Sequence, residues 1–169
     1  MAAGRTYTPI ARTTLSTAAS TVTFNSISGS YTDLVLVVQA SVDSDGDLRY
    51  RLNSDTGSNY SGTILWGTGS TAGSTRVSNQ TSGITNSYGG FNTTLGGSVQ
   101  ILQFINYSNT TTYKTILSRT SAAAGGVDAT VGTWRSTSAI TSIQIGKNSG
   151  MGGTFQIGST FTLYGILAA

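Results

Sequence analysis

Three alternate aspartates form the densest cluster of chemically active side chains in this 169-residue chain: Asp43, Asp45 and Asp47. Carboxylates at this spacing are typical of loops that bind calcium. An EF-hand loop starting at Asp43 needs glycine at its sixth position and glutamate at its twelfth, where this chain has Leu48 and Ser54. The sequence therefore favours a solvated hairpin turn centred on Asp45-Gly46, because Asp-Gly is a strong hairpin signal. A cation held by the three aspartates stays open as the alternative.

The chain contains no histidine, cysteine or glutamate. Without imidazole or thiolate groups, the usual zinc sites and the Ser–His and Cys–His nucleophile pairs are excluded. A glycosidase would need two aspartates across a cleft, and Asp33, Asp55 and Asp128 are scattered along the chain. A Ser–Lys dyad would need Lys114 or Lys147, and any of 24 serines could then be its partner. We therefore expect no enzyme, no catalytic residue, no cofactor and no metal.

Aromatic residues offer a second kind of chemistry, the stacking of neutral sugars. Trp66, Tyr88 and Phe91 lie in or near predicted loops whose other residues are largely Ser, Thr and Asn. Ordinary packing in the core or at a sheet edge is the favoured alternative for these rings. The candidate interaction residues are Pro9, Trp66, Tyr88 and Phe91.

Charge is scarce: 9% of the residues are charged, against a norm of about 25%. Ser, Thr and Gly together make 75 of the 169 residues. The net charge is +3, but the nine cations are spread out, and the pair Arg49 and Arg51 directly follows the three aspartates. Nucleic-acid-binding proteins cluster their cations on one face or stripe, so we expect no nucleic-acid partner.

Apolar runs are short, the longest being the five residues 34–38. Residues 1–20 lack the run of about 7–15 apolar residues that a signal peptide needs. A membrane-spanning helix needs about 20 such residues. We therefore expect a protein made in a cytoplasm, with no membrane partner.

The chain must position any site on β-strands, because short runs of Val, Ile, Thr, Phe and Tyr alternate with clusters of Gly, Ser, Asn and Asp. This pattern predicts an all-β fold, an antiparallel β-sandwich of jelly-roll type with about eight to nine strands. The predicted strands are residues 21–24, 33–42, 48–53, 62–66, 98–106, 112–119, 127–134, 140–146 and 154–166.

Period-two alternation is clearest in two segments. Leu48, Tyr50 and Leu52 alternate with arginines, and residues 127, 129 and 131 alternate with Asp128 and Thr130. Residues 32–42 are more continuously apolar, which predicts a central strand buried on both faces.

Weak patterning sets the predicted domain boundaries. Residues 1–20, with the only proline at position 9, are predicted to be an N-terminal arm that docks on a neighbour, or a frayed terminus. Residues 21–169 form the predicted sandwich domain. Within it, residues 67–95 are predicted to form long loops, with short strands at 74–77 and 90–94.

Four segments, spread from residue 22 to residue 166, resemble one known group of proteins: VTFNSISGSYTDLVL (22–36), FINYSNTTTYK (104–114), GTWRSTSAITSI (132–143) and GSTFTLYGI (158–166). The chain thereby resembles small virion structural proteins of tailed bacteriophages, cyanophages among them. The closing GSTFTLYGI is the most specific of the four.

This resemblance implies a virion protein that stabilises the head surface as a capsid decoration, or cement, protein. Its implied partners are the major capsid protein or other virion subunits, and it would form a homo-oligomer. The alternative is a tail-fibre or receptor-binding domain that recognises a host glycan through loops 67–95. Two hypotheses concern the fold: Asp33 and Arg135 are structural partners, and Trp134 anchors the core.

Overall fold

Every regular element of the described chain is a β-strand. The computed structural model describes residues 6–86, 90, 91, 93, 97–122, 125–148 and 150–167. Within these residues there are twelve strands and no helix. The strands are β1 (Tyr7–Thr14), β2 (Thr21–Phe24), β3 (Asp33–Gln39), β4 (Leu48–Leu52), β5 (Tyr60–Gly67), β6 (Ala72–Gln80), β7 (Gly83–Ile84), β8 (Ser98–Ile105), β9 (Lys114–Ala122), β10 (Gly126–Trp134), β11 (Ile143–Lys147) and β12 (Thr160–Ile166). None of the described residues belongs to a helix that could span a membrane.

The strands form two antiparallel sheets, one of eight strands and one of four. The large sheet has the order β1-β12-β3-β8-β9-β10-β5-β6, and the small sheet has the order β2-β11-β4-β7. The chain alternates between the sheets from β1 to β5 and again from β10 to β12, as chains do in jelly rolls. The predicted all-β antiparallel sandwich of jelly-roll type is therefore confirmed, with more strands than the sequence predicts.

The core lies between the two sheets and is built from alternate residues of their central strands. Leu34, Leu36 and Val38 of β3 face the small sheet, as do Leu102 and Phe104 of β8, and all five are fully buried. The small sheet also directs alternate residues into the core. Its core-facing residues are Val22, Phe24, Leu48, Tyr50, Leu52, Ile143 and Ile145. The predicted alternation of β4 is confirmed, and burial of this apolar area, at about 25 cal/mol per Å², holds the sheets together.

Strand β3 corrects one prediction about burial. It is central, between β12 and β8, as its continuous apolar run predicts. Its second face, however, carries no further layer of described residues: Val35 is buried by its neighbours, and Val37 is only half-buried. A continuous apolar strand is therefore covered by a sheet on one side only.

Strand β1, which lies within the segment predicted as an N-terminal arm, is part of the large sheet. Strand β1 pairs with β12 along its length, from Tyr7 opposite Ile166 to Thr14 opposite Thr160. Ile10 packs against the core, and the register shifts between Pro9 and Ala11. An edge strand suits proline because it has no N–H to donate. The boundary predicted at residue 20 does not separate β1 from the sandwich.

Residues 67–95 also contain more regular structure than predicted. Strand β6 runs from Ala72 to Gln80 and forms the other edge of the large sheet, so it includes the short strand predicted at 74–77. In the region predicted as a strand at 90–94, Phe91 forms a single bridge with Gly46, and residues 92 and 94 lie outside the described residues. Most side chains of β6 are exposed, so its sequence carries no apolar period that could reveal it.

Candidate interaction surface

From Val127 to Val131, strand β10 points its apolar side chains outward and its polar side chains inward, whereas Trp134 at its end faces the core. Val127 and Val131 are 56% and 55% exposed, whereas Asp128 and Thr130 are 4% and 3% exposed. The predicted alternation is therefore present, with its apolar set on the solvent side. In a strand that serves only the sandwich core, the opposite orientation is expected.

A hydrogen-bonded network beneath β10 makes this orientation possible. The Thr130 hydroxyl donates to the Thr85 carbonyl oxygen at 2.7 Å, and the Ser118 hydroxyl donates to the same oxygen at 3.0 Å. The Thr85 hydroxyl lies 2.7 Å from Oε1 of Gln100. Buried polar groups are tolerated when they are paired in this way. The buried polar residues of β10 thus have hydrogen-bond partners between the sheets, and its valines face solvent.

The neighbouring strands β5 and β9 each add a leucine to the outer side, although their Ile64 and Ile116 face inward, so the outer face of the large sheet carries an aliphatic patch. Leu65 of β5 is 58% exposed, and Leu117 of β9 is 37% exposed. The strand registers align these side chains in two rows across five strands. One row is Val35, Gln103, Leu117, Val131 and Thr63; the other is Val37, Ile101, Arg119, Ala129 and Leu65.

These two rows line a groove of about 600 Å³ on the outer face, which Tyr7 of β1 closes at one end. The outer face of the large sheet, with this groove, is called the outer face below. Eight strands about 4.8 Å apart and about 25 Å long give it an area on the order of 800 Å². That is about what one partner buries in a standard protein–protein interface.

Arg119 is the charged residue inside the groove. Its cross-strand neighbours are Ile101 and Ala129, both apolar. The two ion pairs within the described residues are Arg49 with Asp47 and Lys147 with Asp43, so no described carboxylate pairs with Arg119. A guanidinium without an ion-pair partner on an apolar face can bind a carboxylate from outside the chain.

The predicted interaction residues fall in different environments. Pro9 is exposed on β1 opposite Tyr164, whose other neighbour is Val35, so it extends the first row to the sheet edge. Trp66 is half-buried, and its ring covers Gly73 so closely that a Cβ there would lie 2.6 Å from it. Tyr88 lies outside the described residues.

Phe91 follows the favoured alternative, ordinary core packing, and is excluded as a candidate interaction residue. It is only 1% exposed and meets Phe155 edge to face, with ring centroids 6.2 Å apart. Its backbone N–H and carbonyl pair with those of Gly46. Phe91 is therefore a core residue and cannot offer its ring to a ligand.

The aspartate cluster is a crossover between the sheets, not a hairpin, because β3 and β4 belong to different sheets. The ammonium of the buried Lys147 donates to Asp43 at 2.7 Å and to the Ser44 hydroxyl at 2.8 Å. The hydrogen bond from Lys147 holds the pKa of Asp43 below its usual range. The chain thus supplies its own cation at Asp43, and no group of three possible metal-ligating side chains occurs among the described residues.

Asp47 has a different role from Asp43. Burial raises the pKa of its carboxyl group, although the nearby Arg49 opposes the shift. Nη2 of Arg49 donates to it at 3.2 Å, and the Asn86 amide donates at 3.3 Å. Asp47 therefore belongs to the polar network between the sheets.

The hypothesis that Asp33 and Arg135 are partners is wrong. The Asp33 carboxylate accepts hydrogen bonds from the Asn106 N–H at 2.7 Å and from the Gln103 amide at 3.2 Å. The Arg135 guanidinium instead donates to Asn79, at 2.9 Å, and to Ser61. Each charge is satisfied by neutral groups near its own strand end. The hypothesis about Trp134 is confirmed, because it lies in the core and is 2% exposed.

Sequence reasoning missed the outer face. Two signals pointed to it: the continuous apolar run of β3, which supplies Val35 and Val37, and the valine alternation of β10. Period two shows that one side of a strand is apolar, but it does not show which side faces the core.

Comparison with known proteins adds little to this picture. No protein-family profile matches the chain, and no curated protein matches it. Among solved structures, it is similar to the galectin LEC-6 of Caenorhabditis elegans, with 12% identity over 95% of this chain and 97% of that chain. The TM-score of 0.35 is too low for this likeness to carry an argument.

Proposed function

We propose that the chain is a non-enzymatic structural protein of a tailed-phage virion, a capsid decoration protein that docks through the outer face. The observation that carries the docking surface is the inversion of β10, in which valines face solvent while Asp128 and Thr130 are buried. Exposed apolar patches larger than a few hundred Å² are rare on monomeric proteins and mark interaction sites. The assignment of the chain to a virion rests on the resemblance of the four sequence segments.

The carboxylates support a binding role over a catalytic one, because five of the six aspartates serve as acceptors within the fold. Asp33 holds the β8–β9 connection at Asn106, and Asp43 holds Lys147. Asp55 accepts from the Trp134 indole N–H at 2.6 Å, and Asp128 pairs with the Thr120 hydroxyl. A general acid or base needs a carboxyl group free to exchange a proton with a substrate.

Docking would stabilise the head by linkage. A protein that binds the assembled shell, and not the free subunits, shifts the assembly equilibrium toward the shell. The groove and its surroundings offer a mainly aliphatic contact, with burial of apolar area as the driving force. Symmetric self-association of the decoration protein is part of the proposal, since most soluble oligomers are closed homo-oligomers.

Copy number and position in the virion test this proposal. Mass spectrometry of purified virions is expected to find the chain in hundreds of copies, and a virion map is expected to place it on the head. A few copies at the tail would overturn the decoration role and favour the receptor-binding alternative. Glycan binding that is lost in Trp66→Ala would favour that alternative as well. Absence from the virion would overturn both.

A further inference from the structure

The outer face is positively charged as well as apolar. Arg119 lies in the groove, Arg12 of β1 continues its row beyond Thr162, and Arg76 of β6 ends the other row beyond Thr63. The three arginines thus span the face from one edge strand to the other. Each row therefore combines aliphatic side chains with an arginine at a fixed position.

The aspartate closest to these rows is already engaged. Asp33, at the rim beside Ile166, accepts hydrogen bonds from Asn106 and Gln103. Among the described strands of the large sheet, Asp33 and the inward-facing Asp128 are the acidic residues. A partner that covers this face therefore meets arginines without internal counter-charges.

This charge pattern distinguishes the possible occupants. A second copy docked face to face would bring together two surfaces with three arginines each and only Asp33, at the rim, as a carboxylate on each, which is unfavourable. A neutral glycan needs aromatic rings for stacking, and Tyr7 is the aromatic residue among those that line the groove. A protein surface with aliphatic side chains and a carboxylate matches both the apolar rows and Arg119.

We infer that the occupant of the groove is an aliphatic protein surface that presents a carboxylate to Arg119. This inference rests on the proposed function, because it defines the chemistry of the subunit on which the outer face docks. The planar guanidinium pairs with a carboxylate through two parallel hydrogen bonds, which fixes the orientation of the partner. The pair is formed among aliphatic side chains, where removal of either charge leaves the other without its partner.

The preference of the groove can be measured without any virion. Sodium dodecanoate and dodecyltrimethylammonium carry linear alkyl chains of nearly the same length with opposite charges, so they serve as the two probes below their micelle concentrations. In NMR titrations of the full chain, dodecanoate is expected to shift the amides of Leu65, Leu117 and Arg119 and to bind at least tenfold more tightly. Arg119→Gln is expected to remove this difference, and Arg51→Gln, on the small sheet, is the matched control that keeps it. Equal binding of both probes, or shifts confined to other surfaces, would overturn the inference.

Docking on purified heads of the phage that carries the gene separates this inference from the proposed function. Leu65→Ser and Arg119→Glu are each expected to weaken docking at least tenfold, whereas Arg119→Lys retains most of it. If Leu65→Ser weakens docking and Arg119→Glu does not, the carboxylate inference is wrong and the docking face stands. If the wild-type chain does not dock, the proposed function fails, while the NMR result still decides the chemistry of the groove. A concentration-dependent dimer that Leu65→Ser abolishes would show that a second copy occupies the groove and would overturn the inference.

Discussion

The inner and outer faces of the large sheet use the same residue types for opposite purposes. Leu36, Leu102 and Leu163 lie on the inner face and are completely buried. Leu65 and Val131 lie on the outer face and are more than half exposed. Both sets lie on strands of the same sheet, so strand propensity cannot explain the difference. Some aliphatic residues of this chain therefore lie outside the sandwich core.

Polar residues show the reverse of this pattern. Thr130 and Ser118 are buried on the inner face, where they bond the Thr85 carbonyl, while aliphatic residues beside them in sequence face outward. A fold selected only for stability would place Val131 and Leu117 inside and the hydroxyls outside. This comparison is the observation that supports the proposed docking role of the outer face.

The largest expected effect is on the inner face. Leu102→Ala removes a fully buried side chain and leaves a cavity, so we expect the free energy of unfolding to fall by about 2–5 kcal/mol. Leu65→Ala deletes the same atoms from the outer face and is the matched control, with an expected change of about 0.5 kcal/mol or less. Urea denaturation measures both. Equal losses in the two variants would contradict the distinction between the faces.

Acid is expected to lower the stability of the fold at the hydrogen bond between Asp55 and Trp134, the last residue of β10. Burial acts to raise the pKa of Asp55, but hydrogen bonds from Trp134, Asn59 and Gly57 outweigh it and hold the pKa below its ordinary value of 3.8. The ionised carboxylate therefore stabilises the fold above about pH 3.8, and this contribution is lost as the pH falls through the lower folded-state pKa.

Asp55→Ala tests this assignment. The Trp134 indole N–H loses its acceptor, so we expect a loss of about 1–3 kcal/mol at neutral pH. The variant is also expected to show a weaker fall in stability than the wild type between about pH 4 and the lower folded-state pKa, in unfolding followed by fluorescence. An unchanged pH profile would show that this hydrogen bond does not hold the carboxyl group ionised.

An intermediate effect is expected from the buried hydroxyl of β10. Thr130→Val keeps the shape of the side chain but removes the donor to the Thr85 carbonyl, which keeps its second donor, Ser118. We expect a loss of about 1 kcal/mol in thermal or chemical unfolding. A stabilised variant would mean that the polar network is dispensable and that the inversion of β10 needs another explanation.

Val131, next to Thr130 in sequence, is the position where we expect the smallest effect on stability. The same position is expected to have a large effect on docking. Val131→Thr replaces an exposed methyl group by a hydroxyl, so the free energy of unfolding should change by about 0.5 kcal/mol or less. Head docking should weaken measurably, because the side chain lies in the middle of the first row. Thr133→Val is the control, because Thr133 lies two residues further along the same side of β10 but outside the groove. Loss of stability with unchanged docking in Val131→Thr would reverse the roles of the two faces.

Much of the fold follows from local sequence patterns. The alternation of Leu48, Tyr50 and Leu52 predicted a core-facing strand, and the apolar run at β3 predicted a central one. The sequence predicts no strand at β1 and only residues 74–77 of β6, because both strands lie at the edges, where side chains need no apolar period. The Asp45-Gly46 pair predicts a hairpin, whereas the chain crosses between sheets there, because only the tertiary fold places β3 and β4 in different sheets.

The interaction surface was harder to predict for a physical reason. Phe91 is only a candidate interaction residue in the sequence, where it stands among Ser, Thr and Asn, and its burial in the core, with a bridge to Gly46, agrees with the favoured alternative of ordinary packing. Val131 and Leu65 were not expected there because an aliphatic residue in a strand is ordinarily a core residue. Which face of a strand points inward depends on the partners of its polar residues, and here these partners, Thr85 and Gln100, come from distant parts of the chain.

A map of the assembled virion at side-chain resolution tests the central claim most directly. We expect density for this chain on the head, with Leu65, Leu117 and Val131 buried against a neighbouring subunit and the outer face no longer open to solvent. A map in which the chain is bound to the head through another surface, with these three side chains in solvent, would contradict the claim that the outer face is the docking surface.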